Sequence, residues 1–332
     1  MRHLTIAEHG QFLGMTGERL VVLDDGKVAG EYPFSRLKTV TIAKPGVSLS
    51  SNLIVHCAAR GIKLFVLDFR GQAVACLSGT QQHAVVAVRR AQFRFLDSNG
   101  AREFSRSVVR GKIHNQRAVL LYFRKYHGKN DAAVGERLAN AAEKLAVMDE
   151  GAKALALGGR DSWREELLGH EGQAAVVYWA VLRESGLFPG AFENRSGRGA
   201  GDPVNAALNY GYAILSSYVW HCLINAGLEV YAGALHTDRP GKPSLVLDLM
   251  EEYRAWTVDR VVTKLRNKLA EAEELTPALR KDIINGVHET FATRYPYRNR
   301  QMSLESILQR QVYRLCAQIV DGKPYRAYLF RW

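Results

Sequence analysis

Cysteine is scarce in this chain, and its few cysteines lie far apart. The 332 residues contain four of them, and no two form a CxxC pair. This spacing indicates neither a zinc site nor a disulfide framework. Because each has apolar neighbours, we expect small core side chains and a reducing, cytoplasmic compartment. The four are Cys57, Cys76, Cys222 and Cys316.

Long apolar runs are equally absent. No stretch approaches the roughly 18 consecutive apolar residues that a membrane-spanning helix needs. Residues 1–12 also lack the apolar run of a signal peptide. We therefore expect a protein without membrane association.

Acidic residues are in deficit relative to basic ones. Lys and Arg number 45 against 33 Asp and Glu, which gives a formal net charge of +12. A basic excess favours a polyanionic partner, most simply nucleic acid, although an inert basic surface would have the same charge. Hydrophobic residues make up 47% of the chain, enough to bury a core. The length fits two domains of about 150 residues each.

Residues 1–90 are typical of a β-rich, β-sandwich-like domain. A hairpin is predicted over 19–32, because two strand-like runs flank an Asp-Gly turn. A short helix is predicted over 50–60, ending at Gly61, and the run 62–67 returns to strand. We interpret the isolated histidines of this region as structural or surface residues. They are His3, His9 and His56.

Residues 91–332 predict a larger all-α domain, so the expected fold class is α+β with two domains. The polar, turn-rich segment 78–83 marks the boundary between them. Apolar residues then recur at helical spacing, for example over 163–184. Asp202 suits the N-cap of a further long helix, with Pro203 at its first position.

The segment 89–129 is rich in bases and poor in acids. It carries eleven Lys and Arg but only two acids, and Arg102, Arg106 and Arg110 are four residues apart. A helix with such a row can follow a phosphate backbone, since guanidinium binds phosphate in bidentate fashion. The alternative is a solvated face, which would usually contain more acids. With bases from two later loops, the predicted DNA-contacting residues are Arg89, Arg90, Arg94, Arg102, Arg106, Arg110, Lys112, Arg195, Arg198 and Lys242.

Tyrosines alternate with bases in the tail from residue 294. Aromatic and basic side chains together suit unpaired DNA strands, whose bases can stack on the rings. Packing of the tyrosines on the core is the alternative, and for Tyr313 we give it at least equal weight. The tyrosines are Tyr295, Tyr297, Tyr313, Tyr325 and Tyr328.

A histidine, a Pro/Gly-rich turn and a cluster of acids follow one another in the stretch 235–254. On the helix predicted after Pro243, Asp248 and Glu251 are three residues apart and share one face. Like charges at that spacing repel, so we expect a cation nearby. Together with the imidazole of His236, these carboxylates suit Mg²⁺ or Mn²⁺. The alternative is a solvated acidic first turn, which the helix dipole favours.

Glu171 lies on the apolar stripe of the helix predicted over 163–184. Ala174, Ala175 and Tyr178 follow it by three, four and seven residues. A carboxylate on a buried face is costly unless it is paired or bound to a metal. The pattern leaves a salt-bridged glutamate and a metal ligand equally open.

Five stretches of the chain resemble the CRISPR adaptation integrases, the family of CRISPR-associated (Cas) proteins numbered one. Each stretch is a weak signal alone, but their order is specific, and the resemblance covers essentially the whole chain. The stretches are 112–116 (KIHNQ), 169–172 (GHEG), 202–206 (DPVNA), 208–212 (LNYGY) and 235–249, which begins with LH and ends with PSLVLDL.

This resemblance implies a metal-dependent enzyme with the catalytic residues Glu171, His236, Glu251 and Asp248. By the same resemblance, Glu171, His236 and Glu251 hold Mg²⁺ or Mn²⁺. Asp248 is a nearby acid that supports them or adds a further ligand. Glu251 stands where the family more often has aspartate, a conservative change in ligand length.

The resemblance also implies an assembly and a reaction. Members form homodimers, and two dimers flank a central dimer of a small ferredoxin-fold Cas partner; we expect residues 1–90 to serve dimerisation and DNA contact. The complex inserts short double-stranded DNA beside the CRISPR leader, with the DNA 3′-hydroxyl as nucleophile. With water instead, the site would cleave DNA. A stand-alone metal-dependent nuclease and a non-catalytic DNA-binding protein are the alternatives.

Overall fold

The computed structural model of the chain describes most of the sequence. Arg198 and most of the predicted boundary segment 78–83 lie outside the described residues. The described residues are 3–68, 73–77, 79, 86–157, 162–197 and 201–331.

Two four-stranded sheets and one helix form the N-terminal region. The first sheet has the order β1-β5-β7-β8, with β8 antiparallel to β7, and the second has the order β4-β3-β2-β6. Apolar side chains of both sheets and of α1 share one core, so the predicted sandwich-like packing is present. The elements are β1 (His3–Ile6), β2 (Phe12–Thr16), β3 (Arg19–Asp24), β4 (Lys27–Pro33), β5 (Thr39–Ile42), β6 (Ser48–Leu49), α1 (Ser51–Ala59), β7 (Lys63–Leu67) and β8 (Ala73–Leu77).

Local sequence signals explain these first elements. Asp25 and Gly26 both have positive φ, 46° and 74°, as the tight turn between β3 and β4 requires. The side chain of Ser50 accepts a hydrogen bond from the backbone N–H of Leu53 at 3.2 Å and caps α1. Gly61, with φ of 70°, ends the turn after this helix. The hairpin and the short helix predicted from the sequence are confirmed.

The remainder of the described chain is mostly helical. The predicted order, a strand-rich region followed by a larger helical one, is confirmed. None of the helices in the described part of the chain combines the length and apolar character needed to cross a bilayer. The elements are α2 (Val86–Leu96), α3 (Asn99–His127), α4 (Ala132–Ala154), α5 (Trp163–Glu184), α6 (Pro203–Asn225), α7 (Ser244–Arg254), a π-helical turn (Ala255–Asp259), α8 (Arg260–Lys264), α9 (Arg266–Ala270), α10 (Pro277–Ala292), β9 (Arg294–Tyr297), β10 (Arg300–Ser303) and α11 (Leu304–Asp321).

The β9–β10 hairpin was not predicted within the helical region. Its strands have four residues each, too few for a clear period-two pattern, and half of their side chains are polar or charged. The reversal occurs at Arg298 and Asn299, which both have positive φ without a glycine. The sequence signals of a hairpin are therefore weak here.

Helix α3 positions the functional elements of the helical region. It packs against α4, α5 and α7, and Val108, Ile113 and Val119 on its buried face are fully inaccessible. Gly111 is required for close packing, because an added Cβ would lie 2.5 Å from the Cβ of Ala327. The helix thereby brings residue 112 next to α5 and α7.

The C-terminal tail returns across α3 and α7. Tyr325 donates its hydroxyl proton to Glu252 at 2.6 Å, and the backbone N–H of Tyr328 donates to the same carboxylate at 2.9 Å. Asn115 donates to the carbonyls of Glu252 and Tyr328 and accepts from the N–H of Phe330. These contacts hold the face of α7 that carries Glu252.

The tail tyrosines are mainly core residues, which corrects one interpretation of the sequence. Four of them are buried, with exposures of 5–9%, so their rings are not available for stacking on DNA bases. Tyr313 is the opposite case, because it is 53% exposed although we weighted core packing for it. The buried four are Tyr295, Tyr297, Tyr325 and Tyr328.

A polar cluster joins the first sheet to α6 and α10. His3 shares a hydrogen bond of 2.7 Å with Thr39, and its ring centroid lies 3.8 Å from that of Tyr218. His288 bonds to the hydroxyl of Tyr218 at 2.7 Å and to that of Thr5 at 3.2 Å. Of the isolated histidines, His3 is thus structural and is part of the contact between the two regions.

Candidate active site

Two glutamates from different helices converge on one lysine. Glu171 of α5 and Glu251 of α7 both form ion pairs with Nζ of Lys112, which lies on α3. Nζ lies 2.7 Å from Oε2 of Glu251 and donates a hydrogen bond to Oε1 of Glu171. The side chains of Lys112, Glu251 and Glu171 are only 12%, 6% and 21% exposed. The carboxylate predicted on the inner face of α5 therefore has a cationic partner.

Glu251 is ionised in this setting. Burial acts to raise its pKa, but Arg254, Lys112 and His236 outweigh burial and lower the pKa to about 2. Nη2 of Arg254 lies 3.2 Å from Oε1. Oε2 is buried and accepts no well-directed hydrogen bond, although Nζ of Lys112 is close to it. Oε2 of Glu251 is thus an anionic oxygen that can still accept a hydrogen bond, and it faces the ammonium group of Lys112.

Asp248 holds the segment that carries His236. Its Oδ1 accepts from the backbone N–H of His236 at 2.8 Å and from Nδ1 of the ring at 2.7 Å. Its Oδ2 accepts from the N–H groups of Ala234 and Leu235 at 2.6 and 3.0 Å. The carboxylate is fully buried. Because Nδ1 donates to Asp248, Nε2 is the ring nitrogen that carries a lone pair for a metal.

If His236 is a metal ligand, as the resemblance implies, replacing Asp248 with asparagine should lower DNA strand transfer about 10–100-fold, because the carboxylate that orients the ring is lost. The amide also turns an NH₂ group toward an N–H group from which the carboxylate accepts a hydrogen bond. Two donors then face each other, which should lower the free energy of unfolding by roughly 1–3 kcal/mol. Strand-transfer rates and thermal unfolding measure the two effects. Asp238→Asn, on the same loop but exposed, is the matched control. A wild-type rate for Asp248→Asn would contradict the orienting role.

A cleft of about 510 Å³ opens beside the two glutamates. Its lining includes Lys112, Glu171, Arg254, Arg195 and the indole of Trp179. Clefts of this size accommodate small ligands or part of a polymer. Cationic and aromatic groups therefore lie next to the carboxylates.

The donor types around Lys112 fit a hard divalent cation. Carboxylate oxygens of Glu171 and Glu251 converge on one cation position, and His236 has an oriented ring nearby that lowers the pKa of Glu251. Within the described residues, no group of three His, Cys, Asp or Glu side chains stands close enough to hold an ion as it is. The cation at this position is the Lys112 ammonium.

The predicted row of arginines on α3 contacts protein rather than standing free. Nη1 of Arg102 donates to the carbonyl of Leu157 at 2.7 Å, and Arg106 donates to carbonyls at the end of α4. Arg110 pairs with Asp149 at 2.7 Å. The C-terminal end of α4 carries the negative end of its dipole, which favours these cations. Contact of these arginines with DNA stays a prediction, and each of them also has a partner within the protein.

Helix α2 presents the other predicted arginines of this region differently. Arg90 and Arg94 are exposed, four residues apart on one face of the helix. Arg89 is half-buried and lines a cavity of about 250 Å³ beside Trp220. Among the predicted DNA-contacting residues on α2, Arg90 and Arg94 therefore have the most accessible side chains.

Arg195 and Lys242 both lie near the candidate active site. The guanidinium of Arg195 donates to Asn205 at 3.0 Å and to Asn209 at 2.6 Å, which holds its loop against α6. Burial and the neighbouring Arg239 lower the pKa of Lys242, whereas Asp248 raises it. Lys242 is thus within electrostatic reach of the acids of α7.

Lys112 is a predicted DNA contact, and Arg254 is absent from the residues predicted from the sequence. The structure places both in the carboxylate cluster, and contact of Lys112 with DNA stays a prediction. One signal was available: like charges on α7 predicted a cation, and Arg254 lies three residues after Glu251. No sequence pattern identified α3 as the source of the second cation, because that contact depends on how α3, α5 and α7 pack.

Comparisons with known proteins identify relatives of this chain. The family model "CRISPR associated protein Cas1" matches residues 4–277. A relative from Francisella tularensis subsp. novicida, "CRISPR-associated endonuclease Cas1 1", is 45% identical over 337 residues, covering 100% of both chains. Both findings extend over the segments that carry the three helices of the site.

Solved structures share the fold. The chain is similar to "Casposase bound to integration product", with a TM-score of 0.79, 20% identity, and coverage of 100% of this chain and 95% of that one. It is also similar to "Cas6-RT-Cas1--Cas2 complex", with a TM-score of 0.79, 22% identity, and coverage of 99% of this chain and 36% of that one. The family model and the Francisella relative establish what the fold alone leaves open: this chain belongs to the Cas1 family of CRISPR-associated integrases and endonucleases.

Proposed function

We propose that this chain performs the strand-transfer step of CRISPR adaptation. The 3′-hydroxyl of a short DNA duplex attacks a phosphodiester of the CRISPR leader-repeat, a new ester forms, and the old 3′-oxygen leaves. One observation carries this proposal. Carboxylates from α5 and α7 meet at a single buried cation, next to a histidine oriented by Asp248.

We infer that Glu171, His236 and Glu251 hold Mg²⁺ or Mn²⁺. When bound, such an ion lowers the pKa of the attacking hydroxyl and offsets charge on the phosphorus oxygens. Glu171 and Glu251 supply anionic oxygens, and His236 supplies Nε2. Asp248 contributes by fixing the ring and its tautomer, since its carboxylate accepts hydrogen bonds from residues 234–236. Its role is orientation rather than ligation.

Cationic side chains around the cleft support phosphate binding. Arg254 lines the cleft beside Glu251, and Lys242 lies on the turn before α7. Arg90 and Arg94 offer a separate exposed pair on α2. DNA binding through such residues should weaken as the salt concentration rises. The reason is that the release of counterions from DNA favours the complex less at high ionic strength.

The assembly proposed for this chain is a homodimer that works with a small ferredoxin-fold Cas partner dimer on double-stranded DNA. A structure named "Cas6-RT-Cas1--Cas2 complex" contains a chain of the same fold, which supports such a partner. The division near residue 90, dimerisation through residues 1–90 and a cytoplasmic location are further predictions of the same proposal.

Hydrolysis is the second candidate activity, because curated relatives carry the name endonuclease. The same carboxylates would serve a water molecule in place of the DNA hydroxyl. The two activities differ in one product: strand transfer joins the supplied 3′ end to the target, whereas hydrolysis leaves the target cut and the supplied duplex free.

The test is strand transfer of an end-labelled short duplex into supercoiled plasmid, with Mn²⁺ and with EDTA, with and without the partner protein. We expect label joined to plasmid only when Mn²⁺ is present. Nicked plasmid without joined label, even with the partner, would replace the integrase proposal by the nuclease. No metal-dependent change in either DNA would overturn both.

A further inference from the structure

Lys112 occupies the position at which the two catalytic carboxylates converge. Its ammonium contacts Oε1 of Glu171 and lies 2.7 Å from Oε2 of Glu251, and its side chain is 12% exposed. These two residues are the ones proposed above to hold the divalent ion, so the inference rests on that proposed function. A buried ammonium and a divalent cation would compete for the same oxygens.

The competition follows from charge and distance. Two cations about 3–4 Å apart repel by several kcal/mol at the dielectric of a partly buried site. Glu251 has a second partner in Arg254 at 3.2 Å, so its charge stays compensated without Lys112. The same lysine is the ammonium partner of Glu171. The ion that enters would therefore replace Lys112 at Glu171 and Glu251 together.

The surroundings give Lys112 a place to go. Its side chain lines the cleft of about 510 Å³, and its flexible stem has four methylene groups. Rotation into the cleft removes the ammonium from the carboxylates and leaves it among groups placed to meet a DNA phosphate. Arg195 and Arg254 line the same cleft.

We propose that Lys112 is an internal counter-cation that holds Glu171 and Glu251 together before metal loading and is displaced by the entering ion. The lysine thereby sets metal affinity: it stabilises the metal-free centre, and its displacement opposes ion binding. Without it, the metal-free protein carries two close, less compensated carboxylates, and the same ion binds more tightly.

The experiment is calorimetric titration of the full-length protein with Mn²⁺. Lys112→Met keeps the length of the side chain and removes its charge, and we expect at least tenfold tighter Mn²⁺ binding than in the wild type. Lys268→Met is the matched control, because it makes the same substitution and removes an ion pair with Asp282, at 2.7 Å and outside the carboxylate cluster. Its Mn²⁺ affinity should equal that of the wild type.

Thermal unfolding with and without Mn²⁺ covers the case in which Lys112→Met is poorly folded. Without metal, we expect the variant to unfold at a lower temperature than the wild type. When Mn²⁺ is added, its unfolding temperature should rise by more than that of the wild type. Lys112→Gln retains a neutral hydrogen-bond donor, so its unfolding temperature without metal should lie between those of Lys112→Met and the wild type. A gain in unfolding temperature for Lys112→Met no larger than that of Lys268→Met would overturn the inference.

The outcomes separate this inference from the proposed function. Suppose that Lys112→Met binds Mn²⁺ no more tightly than the wild type, and that Glu171→Gln does not bind it. This result overturns the displacement of Lys112 and leaves the metal site intact. Absence of Mn²⁺ binding in every protein, including the wild type with a DNA duplex present, overturns the metal site and the displacement with it.

Discussion

Replacing Glu251, a proposed metal ligand, with glutamine should reduce strand transfer on the order of 10³-fold, because a carboxylate that holds a catalytic ion would contribute several kcal/mol to the transition state. The amide has nearly the same shape as the carboxylate, so packing on α7 is preserved. It removes the negative charge that now faces Lys112 and Arg254. Rates of joined product at saturating Mn²⁺ measure the effect.

The adjacent residue provides the matched control. Glu252 is as buried as Glu251, but its carboxylate accepts from Tyr325 and from the N–H of Tyr328 in the C-terminal tail. Glu252→Gln therefore changes the same chemical group one position along the same helix, away from the cleft. We expect it to keep strand transfer within a few-fold of the wild type. Equal losses for both variants would show that α7 has a structural role only.

Two buried histidines alone should lower the free energy of unfolding by about 5 kcal/mol when the pH falls from 7 to 4.5. Burial, with the nearby His3, lowers the pKa of His288 from 6.5 to about 4. Burial, with His3, Lys38 and Lys63, lowers the pKa of His221 to about 3, against an opposing effect of Glu305. Both rings are therefore neutral in the folded protein across this range.

The sign follows from where each state takes up its proton. The unfolded chain protonates these histidines near pH 6.5, whereas the folded protein does so only near pH 4 or below. The stabilisation from these two histidines is complete above pH 6.5 and is lost as the pH falls from 6.5 toward 4. Glu252 and Asp259 contribute in the opposite direction, because burial raises their pKa values to about 7 and about 6. Each histidine contributes roughly 2–3 kcal/mol by pH 4.5. Denaturant unfolding at a series of pH values measures the slope.

Two variants test the assignment. His288→Gln retains a donor and an acceptor for Tyr218 and Thr5 but cannot titrate. Its loss of stability between pH 7 and 4.5 should therefore be smaller than that of the wild type by roughly 2–3 kcal/mol. His9→Gln, at an exposed position, should leave the pH dependence unchanged. The same pH dependence in His288→Gln as in the wild type would assign the acid sensitivity to other groups.

Much of the fold could be predicted because its signals are local. The Asp-Gly turn between β3 and β4, the Ser50 cap of α1 and the Asp202 cap before Pro203 each depend on a few neighbouring residues. Apolar spacing likewise predicted α5 over its observed range. The β9–β10 hairpin escaped prediction, since its short strands lack a repeating pattern and the tail tyrosines beside it resembled a DNA-binding segment.

By itself, the sequence determined which residue types are available for the chemistry: a glutamate on the inner face of α5, and a histidine followed by acids on α7. Only the tertiary structure decided what each does. Packing of α3 against α5 and α7 brings Lys112 to Glu171 and Glu251, and the loop before α7 folds so that Asp248 holds His236. The same packing directs Arg102, Arg106 and Arg110 toward α4. Spacing along one helix places side chains on a face, but which neighbour meets that face depends on long-range packing that spacing does not encode.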